Sequence, residues 1–319
     1  MTTRHLVDPE LLAMADNFPP MALSDESLPA IRASITAMLA AVPLPDLPLV
    51  SNDIRIPSGD GDRTVRCLLV RPVDMAAGAP AILHFHGGGH VLGVPEMDAP
   101  MLHRWAHELG CLILSVDYRL APETPAPGPM DDAYAALAWL NAEATTLGID
   151  PARVAVSGTS AGGSMAAGLA LLARDRGEYA IAFQHLDQPR LDDRMPDNPS
   201  TGEFVWTRDS SAWCRAALGG EGDPYAHPAR AVSLTRLPPA FIGVGALDLF
   251  VDECLAYTAR LSRAGVPVEL IVYPGAFHGF TVATGASVAI RANEDGLRAL
   301  RRGLCGMSLT RLLEATIRP

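Results

Sequence analysis

A serine set between glycines, Gly158-Thr159-Ser160-Ala161-Gly162, is the pattern in this chain best able to do chemistry. The G-x-S-x-G spacing suits a sharp turn from a strand into a helix, where the crowded backbone leaves no room for flanking side chains. A β-type run at residues 153–157 leads into it, and a helical pattern from about residue 161 leads out. Such a turn lifts the Ser160 hydroxyl clear of the sheet at its carboxyl edge. Gly163 extends the run of small residues and lets the helix pack closely.

A second pattern, His86-Gly87-Gly88-Gly89, directly follows the apolar run at residues 81–85. Three glycines let successive N–H groups turn toward one point without obstruction by Cβ atoms. That arrangement stabilises an oxyanion, and one such donor is worth roughly 3–4 kcal/mol of barrier. A phosphate-binding loop is the competing explanation, but the spacing is not G-x-G-x-x-G and the chain has no lysine to support it.

A serine is a weak nucleophile at neutral pH; it needs a base, and the base needs an orienting acid. In elbow-type sites these follow in the order serine, acid, histidine. Asp248 closes the segment Gly243-Val-Gly-Ala-Leu-Asp248, at the end of one β-type run. His278, in Tyr273-Pro-Gly-Ala-Phe-His278-Gly-Phe280, follows the next. Asp252 competes for the acid role; Asp248 is favoured because it comes directly off the strand. His103 and His107 are spaced four apart, as two ligands on a helix would be, but Arg104 stands where a zinc protease needs Glu and no third ligand is evident. They read as packing or surface residues. His84 and His86 lie in or at the end of a buried strand and read as structural, with the His86 ring fixing the glycine loop.

The elements that must position these residues alternate. Apolar β-type runs at residues 81–86, 111–116, 153–157, 240–244 and 268–273 are separated by helical patterns at 131–144, 160–174, 252–264 and 287–304. Near-continuous apolar strands separated by helices specify a parallel sheet covered on both faces, an α/β architecture. Residues 52–56 and 65–71, joined by a Ser-Gly-Asp-Gly-Asp turn, predict an antiparallel hairpin at the sheet edge. Two segments break the rhythm. Residues 1–48 hold a helix near 28–42, with Ile31, Ile35, Met38, Leu39 and Val42 on one face. Residues 187–237, rich in Asp, Pro, Arg and Trp, are too long to be structureless and should be partly helical. Together they are expected to cap a pocket, with residues 49–186 and 238–319 as the catalytic core.

Composition excludes much else. The 319 residues are 49% apolar and 19% charged, which excludes a disordered chain. The net charge of −11 argues against nucleic acid and anionic membranes as partners. All 25 basic residues are arginine, so Schiff-base, pyridoxal and P-loop chemistry are excluded. The longest apolar stretch, residues 161–173, is too short to span a bilayer. Acidic residues at 8, 10 and 16 stand where a secretory leader would be apolar, so a cytoplasmic location is expected. Five widely spaced cysteines without a Cys-x-x-Cys read as buried thiols in a reducing compartment.

With these residues in view, the sequence resembles the hormone-sensitive-lipase-like branch of the α/β-hydrolases, the bacterial family IV carboxylesterases. The resemblance spans about residues 50–305 and rests on His86–Gly89, Asp117-Tyr-Arg-Leu-Ala-Pro-Glu123, the segment 150–163, Asp248 and His278-Gly-Phe280, in the family's order. It implies a mostly parallel eight-stranded sheet with helices on both faces and a helical cap. It also implies Ser160 as nucleophile, His278 as general base, Asp248 as its orienter, and oxyanion donors from the N–H groups of Gly88, Gly89 and Ala161. Arg119 and Glu123 would anchor the loop after their strand. No metal or cofactor is implied; the partner would be a small-molecule ester with a short acyl chain, and a homodimer through the edge near the last strands is one assembly the resemblance allows. Three departures bear on substrate preference: Thr159 replaces an Asp in the elbow, His90 replaces an aromatic residue after the glycine loop, and Leu249-Phe250 follow the acid. An amidase, lactonase or peptidase would use the same triad, and a non-catalytic ligand-binding member would share the fold.

Overall fold

In the computed structural model, which describes residues 2–305 apart from residues 19, 20, 40, 60 and 196, the β-type runs form one sheet. Its strands are β1 Leu49–Pro57, β2 Thr64–Pro72, β3 Ala79–Phe85, β4 Leu112–Asp117, β5 Ile149–Thr159, β6 Phe183–Asp187, β7 Ala240–Gly245 and β8 Val268–Tyr273. They lie in the order β1-β2-β4-β3-β5-β6-β7-β8. The β1–β2 and β2–β4 pairings are antiparallel and the rest are parallel. This is the α/β-hydrolase fold expected from the sequence, with the predicted hairpin at one edge.

The helices are α1 Leu12–Asn17, α2 Leu28–Leu39, α3 Ala99–Leu109, α4 Gly128–Ala142, α5 Ala144–Leu147, α6 Ala161–Arg176, α7 Arg208–Leu218, α8 Val251–Arg263 and α9 Ser287–Leu304. Period-two alternation explains how they cover the sheet. From β3, Ala81, Leu83 and Phe85 join one core with residues of α4, α6 and α8, while Ile82 joins a second with α3 and α9. From β4, Leu112, Leu114 and Val116 face the first core and Ile113 the second. Helix α6 is apolar all round, and its residues 161–173 are buried. Burying a side chain such as Leu169 or Leu171 contributes roughly 1.5–3 kcal/mol relative to exposure. The helix ends where Gly177 takes a left-handed conformation, φ +69°. No helix among the described residues is long and apolar enough to cross a membrane.

One strand was not singled out in the sequence. β6 reads Phe-Gln-His-Leu-Asp, too polar for a central strand, yet the His185 ring and the Gln184 amide nitrogen find partners within the core. His185 stacks on Phe241 with ring centroids 5.4 Å apart and bonds the Ser157 hydroxyl at 3.0 Å, while Gln184 Nε2 donates to the Pro238 carbonyl at 2.8 Å. Burial pushes the His185 pKa down to about 3, so the ring is neutral and acts as a stacked apolar plate.

The N-terminal helix also departs from expectation. It ends at Leu39, and Met38 and Val42, placed by its periodicity on the packed face, are exposed. Leu28, Ile31 and Ile35 pack on the core, and Arg32 fixes the helix instead, donating to the Val91 and Ala121 carbonyls and pairing with Glu123. The segment 187–237 carries helix α7 and a 3-10 turn at Pro228–Arg230. Residues 306–319 of the expected core, residue 40 of the expected helix and residue 60 of the expected turn lie outside the described residues.

Candidate active site

Strands β3, β5, β7 and β8 run parallel, so their carboxyl ends meet at one edge of the sheet. There β3 delivers the glycine loop, β5 delivers Ser160, and the loops after β7 and β8 deliver Asp248 and His278.

The turn at Ser160 is as tight as its sequence predicted. Ser160 sits at φ 57°, ψ −114°, a conformation costly for a non-glycine residue. Glycine is required on both sides of it. A Cβ on Gly158 would stand 2.2 Å from the Gly162 carbonyl, and one on Gly162 would stand 2.0 Å from the Phe85 carbonyl oxygen. Hydrogen bonds hold the strained residue: Ser160 N–H donates to the Asp187 carbonyl at 2.8 Å, and its own carbonyl accepts from Arg190 N–H at 3.2 Å.

The three side chains singled out from the sequence come together. His278 Nε2 lies 2.9 Å from Ser160 Oγ, and His278 Nδ1 lies 2.8 Å from Asp248 Oδ2. The other Asp248 oxygen accepts the Phe250 N–H at 2.9 Å. Asp248 is wholly buried, with Ser160 and His278 nearly so. With Nδ1–H donated to the carboxylate, Nε2 is left to accept the serine proton. Asp252 does not reach His278; its Oδ2 accepts from Asn198 Nδ2 at 2.9 Å.

The glycine loop faces the same point. Gly88 and Gly89 adopt φ +111° and +66°, and a Cβ on Gly88 would meet the Leu92 carbonyl oxygen at 2.3 Å. Among the described residues, no backbone hydrogen bond outside the helices and strands uses the N–H of Gly88, Gly89 or Ala161. Gly89 and Ala161 are buried and Gly88 half-buried, and buried N–H groups without an acceptor are rare unless a ligand supplies one. Ala161 also opens α6, whose dipole favours negative charge at that end. His86 fixes the loop: its Nδ1 donates to the Gly87 carbonyl at 2.8 Å and its ring stacks on Tyr118 at 4.3 Å. Arg119 anchors the neighbouring loop through Asp132 at 2.9 Å. His103 donates to the Ala99 carbonyl at 2.6 Å and His107 faces solvent. The described residues hold no group of three or more potential metal ligands.

Sequence reasoning missed several neighbours. Trp206, from the segment 187–237, lies against Gly89 and 6.1 Å, centroid to centroid, from the His278 ring. Gln188, at φ +48°, accepts the Gly279 N–H at 2.7 Å and so steadies the turn that carries His278. Its Nε2 donates to Asp187, whose carboxyl burial pushes up to about 7. Gln188 directly follows β6, so the strand that went unrecognised concealed it. Arg190, buried with its guanidinium against His90 at 3.1 Å, joins the turn after Ser160 to the glycine loop.

The geometry agrees with the chain's likenesses. A family model described as the alpha/beta hydrolase fold matches residues 82–282. The chain is 34% identical to the esterase LipI of Mycobacterium tuberculosis, over 94% of this chain and 96% of that protein. It is 33% identical to the carboxylesterase NlhH of the same organism, covering 93% and 96%. Among solved structures, a bacterial heroin esterase superposes with a TM-score of 0.86 at 40% identity, covering 95% of this chain and 99% of that one. The esterase LipW of Mycobacterium marinum gives 0.83 at 33% identity, covering 94% and 96%. The chain belongs to the α/β-hydrolase superfamily, in its hormone-sensitive-lipase-like carboxylesterase branch.

Proposed function

We propose that this protein is a serine carboxylesterase that cleaves short-chain carboxylic esters through Ser160, His278 and Asp248. The observation that carries the reading is the continuous hydrogen-bonded relay, 2.9 Å and 2.8 Å long, from a strained serine through one imidazole to a buried carboxylate. His278 takes the Ser160 proton as the oxygen attacks the ester carbonyl, and Asp248 stabilises the resulting imidazolium. The N–H groups of Gly88, Gly89 and Ala161 receive the oxyanion. The C–O bond to the alcohol breaks, and the alcohol leaves with the proton from His278. Water then attacks the acyl-enzyme in the same way, releasing the acid and restoring Ser160.

Residues 1–48 and 187–237 act as the cap in this reading, closing over residues 49–186 and 238–319. Contacts between the two segments support it: the Ser210 hydroxyl donates to the Met21 carbonyl at 2.7 Å, and Glu203 accepts from Thr2 and Thr3. Trp206 and Cys214 then press on Gly89, which limits the acyl chain. A cytoplasmic location fits four buried free thiols, and a homodimer fits the outer edge of β8, which pairs with no further strand among the described residues.

Hydrolysis of p-nitrophenyl esters from acetate to palmitate, by the wild type and by Ser160→Ala, tests the function. Turnover is expected to peak at short chains and to fall roughly 10⁴–10⁶-fold in the variant. A long-chain peak overturns the cap's limit on length. Absence of serine-dependent turnover on every ester overturns the esterase reading in favour of amides, lactones or a bound ligand.

A further inference from the structure

Trp206 is 5% exposed, and its indole nitrogen is buried without a hydrogen-bond partner among the described residues. A buried tryptophan N–H nearly always finds an acceptor, because leaving it dry costs the lost hydration of the group. The orientation of the ring locates the unpaired donor. A Cβ on Gly89 would meet Trp206 Cζ2 and Cη2, each at 2.8 Å, so the six-membered ring of the indole lies against the glycine loop. Cζ2 is bonded to the carbon that bears Nε1, so the N–H points to the same side as the Cζ2–H. The ring meanwhile stands 6.1 Å from that of His278. Trp206 therefore spans the gap between the proposed oxyanion donors and the proposed base, the space an ester must enter to reach Ser160.

An indole N–H donates and cannot accept, so an atom with a lone pair, such as a substrate oxygen, satisfies it and a hydrocarbon group does not. We propose that Trp206 is a specificity-determining residue. Its N–H binds an ether or carbonyl oxygen in the acyl or alcohol part of the ester, within a few bonds of the scissile carbonyl, and selects such esters over their hydrocarbon isosteres. This rests on the esterase reading and deepens it by naming the substrate class. A hydrocarbon group in the same place would leave the donor unpaired in the complex, and that difference is the source of discrimination. Glycine at position 89 makes the approach possible, since a side chain there would displace the indole.

Two isosteric pairs test it: p-nitrophenyl methoxyacetate against p-nitrophenyl butyrate for the acyl side, and 2-methoxyethyl acetate against butyl acetate for the alcohol side. The kcat/KM ratio within each pair is measured for the wild type and for Trp206→Phe, which keeps a flat apolar ring without the N–H. Intrinsic reactivity cancels between proteins. The wild-type preference for the oxygenated ester is expected to exceed that of the variant by roughly two- to tenfold in at least one pair, and the pair that changes identifies the side. Equal ratios in both proteins overturn the proposal, as does a uniform fall in all four rates, which a purely structural Trp206 would give. If Trp206→Phe does not fold, the wild-type rates divided by each ester's alkaline hydrolysis rate carry the test. No preference for oxygen in either pair then overturns it. Loss of Ser160-dependent turnover on all four esters would remove the esterase reading itself, a result distinct from equal ratios.

Discussion

The carbonyl oxygen of Phe85, the last residue of β3, occupies the space where residue 162 would carry a Cβ, 2.0 Å from that ideal position. The strand that launches the glycine loop and the first turn of the serine helix are thus in backbone contact. Neither can shift without the other. This contact helps set the distance between the glycine loop and Ser160, alongside the His86 and Arg190 side chains. Gly162→Ala must push the two apart, and displacement of about 1 Å at a reacting centre costs on the order of 10²-fold in rate. Loss of that size in kcat/KM, with a lower melting temperature, is the expected outcome. Gly285→Ala, at a position open on all sides within 4 Å, is the control and should change neither.

Asp248 and Asp252 give a sharper contrast. Asp248→Asn keeps an acceptor for the Phe250 N–H but offers His278 Nδ1 an amide that can hold the wrong tautomer. A drop in kcat of roughly 10⁴ with the fold retained is expected. Asp252→Asn touches, among the described residues, only the bond to Asn198 and should leave kcat within a few-fold. Steady-state rates on one short ester with circular dichroism of both variants decide between the two acids.

Much of this site was legible because its chemistry constrains local sequence. Ser160 is framed by Gly158 and Gly162, the loop proposed to hold the oxyanion is glycine, and the proposed acid and base follow β7 and β8 in short loops. Seven strands were visible through apolar runs or the edge hairpin. β6 was not, because its stability comes from tertiary pairing of His185 with Ser157 and Phe241, a signal no local window contains. Gln188 and Arg190 went unseen for the same reason. Trp206 looked like part of a polar insertion, since only the fold brings it to Gly89. Val42 is exposed because the helix stops at Leu39, short of its pattern, while Met38 is still helical but faces solvent.

Glu253 predicts a pH dependence of stability. Burial pushes its carboxyl from the ordinary 4.5 to about 8, against the opposing influence of Arg190 and the Asp192 N–H. Between those values the folded chain holds a proton that the unfolded chain has released. The group's contribution is therefore complete below about pH 4.5 and is lost as pH rises through about 8, at up to about 1.4 kcal/mol per pH unit. Glu253→Gln removes the titration. Urea unfolding from pH 5 to 9 should show the wild type losing stability relative to the variant up to about pH 8, then running parallel. Curves parallel throughout would contradict the buried proton.

The thiols correct one expectation from the sequence. Cys67, Cys111, Cys214 and Cys254 are buried, but Cys305, just past α9, is exposed. Burial also pushes Cys214, beside the glycine loop, up to about 12, so it holds its proton at neutral pH. Titration of the native protein with an aromatic disulfide should release one fast equivalent, lost in Cys305→Ala, and all five should react after denaturation. A second fast thiol in the native state would contradict this packing.

The central claim is that Ser160, alone among the hydroxyls, is activated by His278 beneath a ready oxyanion site. Diethyl p-nitrophenyl phosphate tests it directly, because attack by an activated serine releases one p-nitrophenolate and leaves a phosphoryl group on Oγ. The account predicts a burst of one equivalent per chain, parallel loss of esterase activity, and a diethylphosphoryl adduct mapped by mass spectrometry to the peptide containing Ser160. No burst, or an adduct on another residue while activity persists, would contradict it.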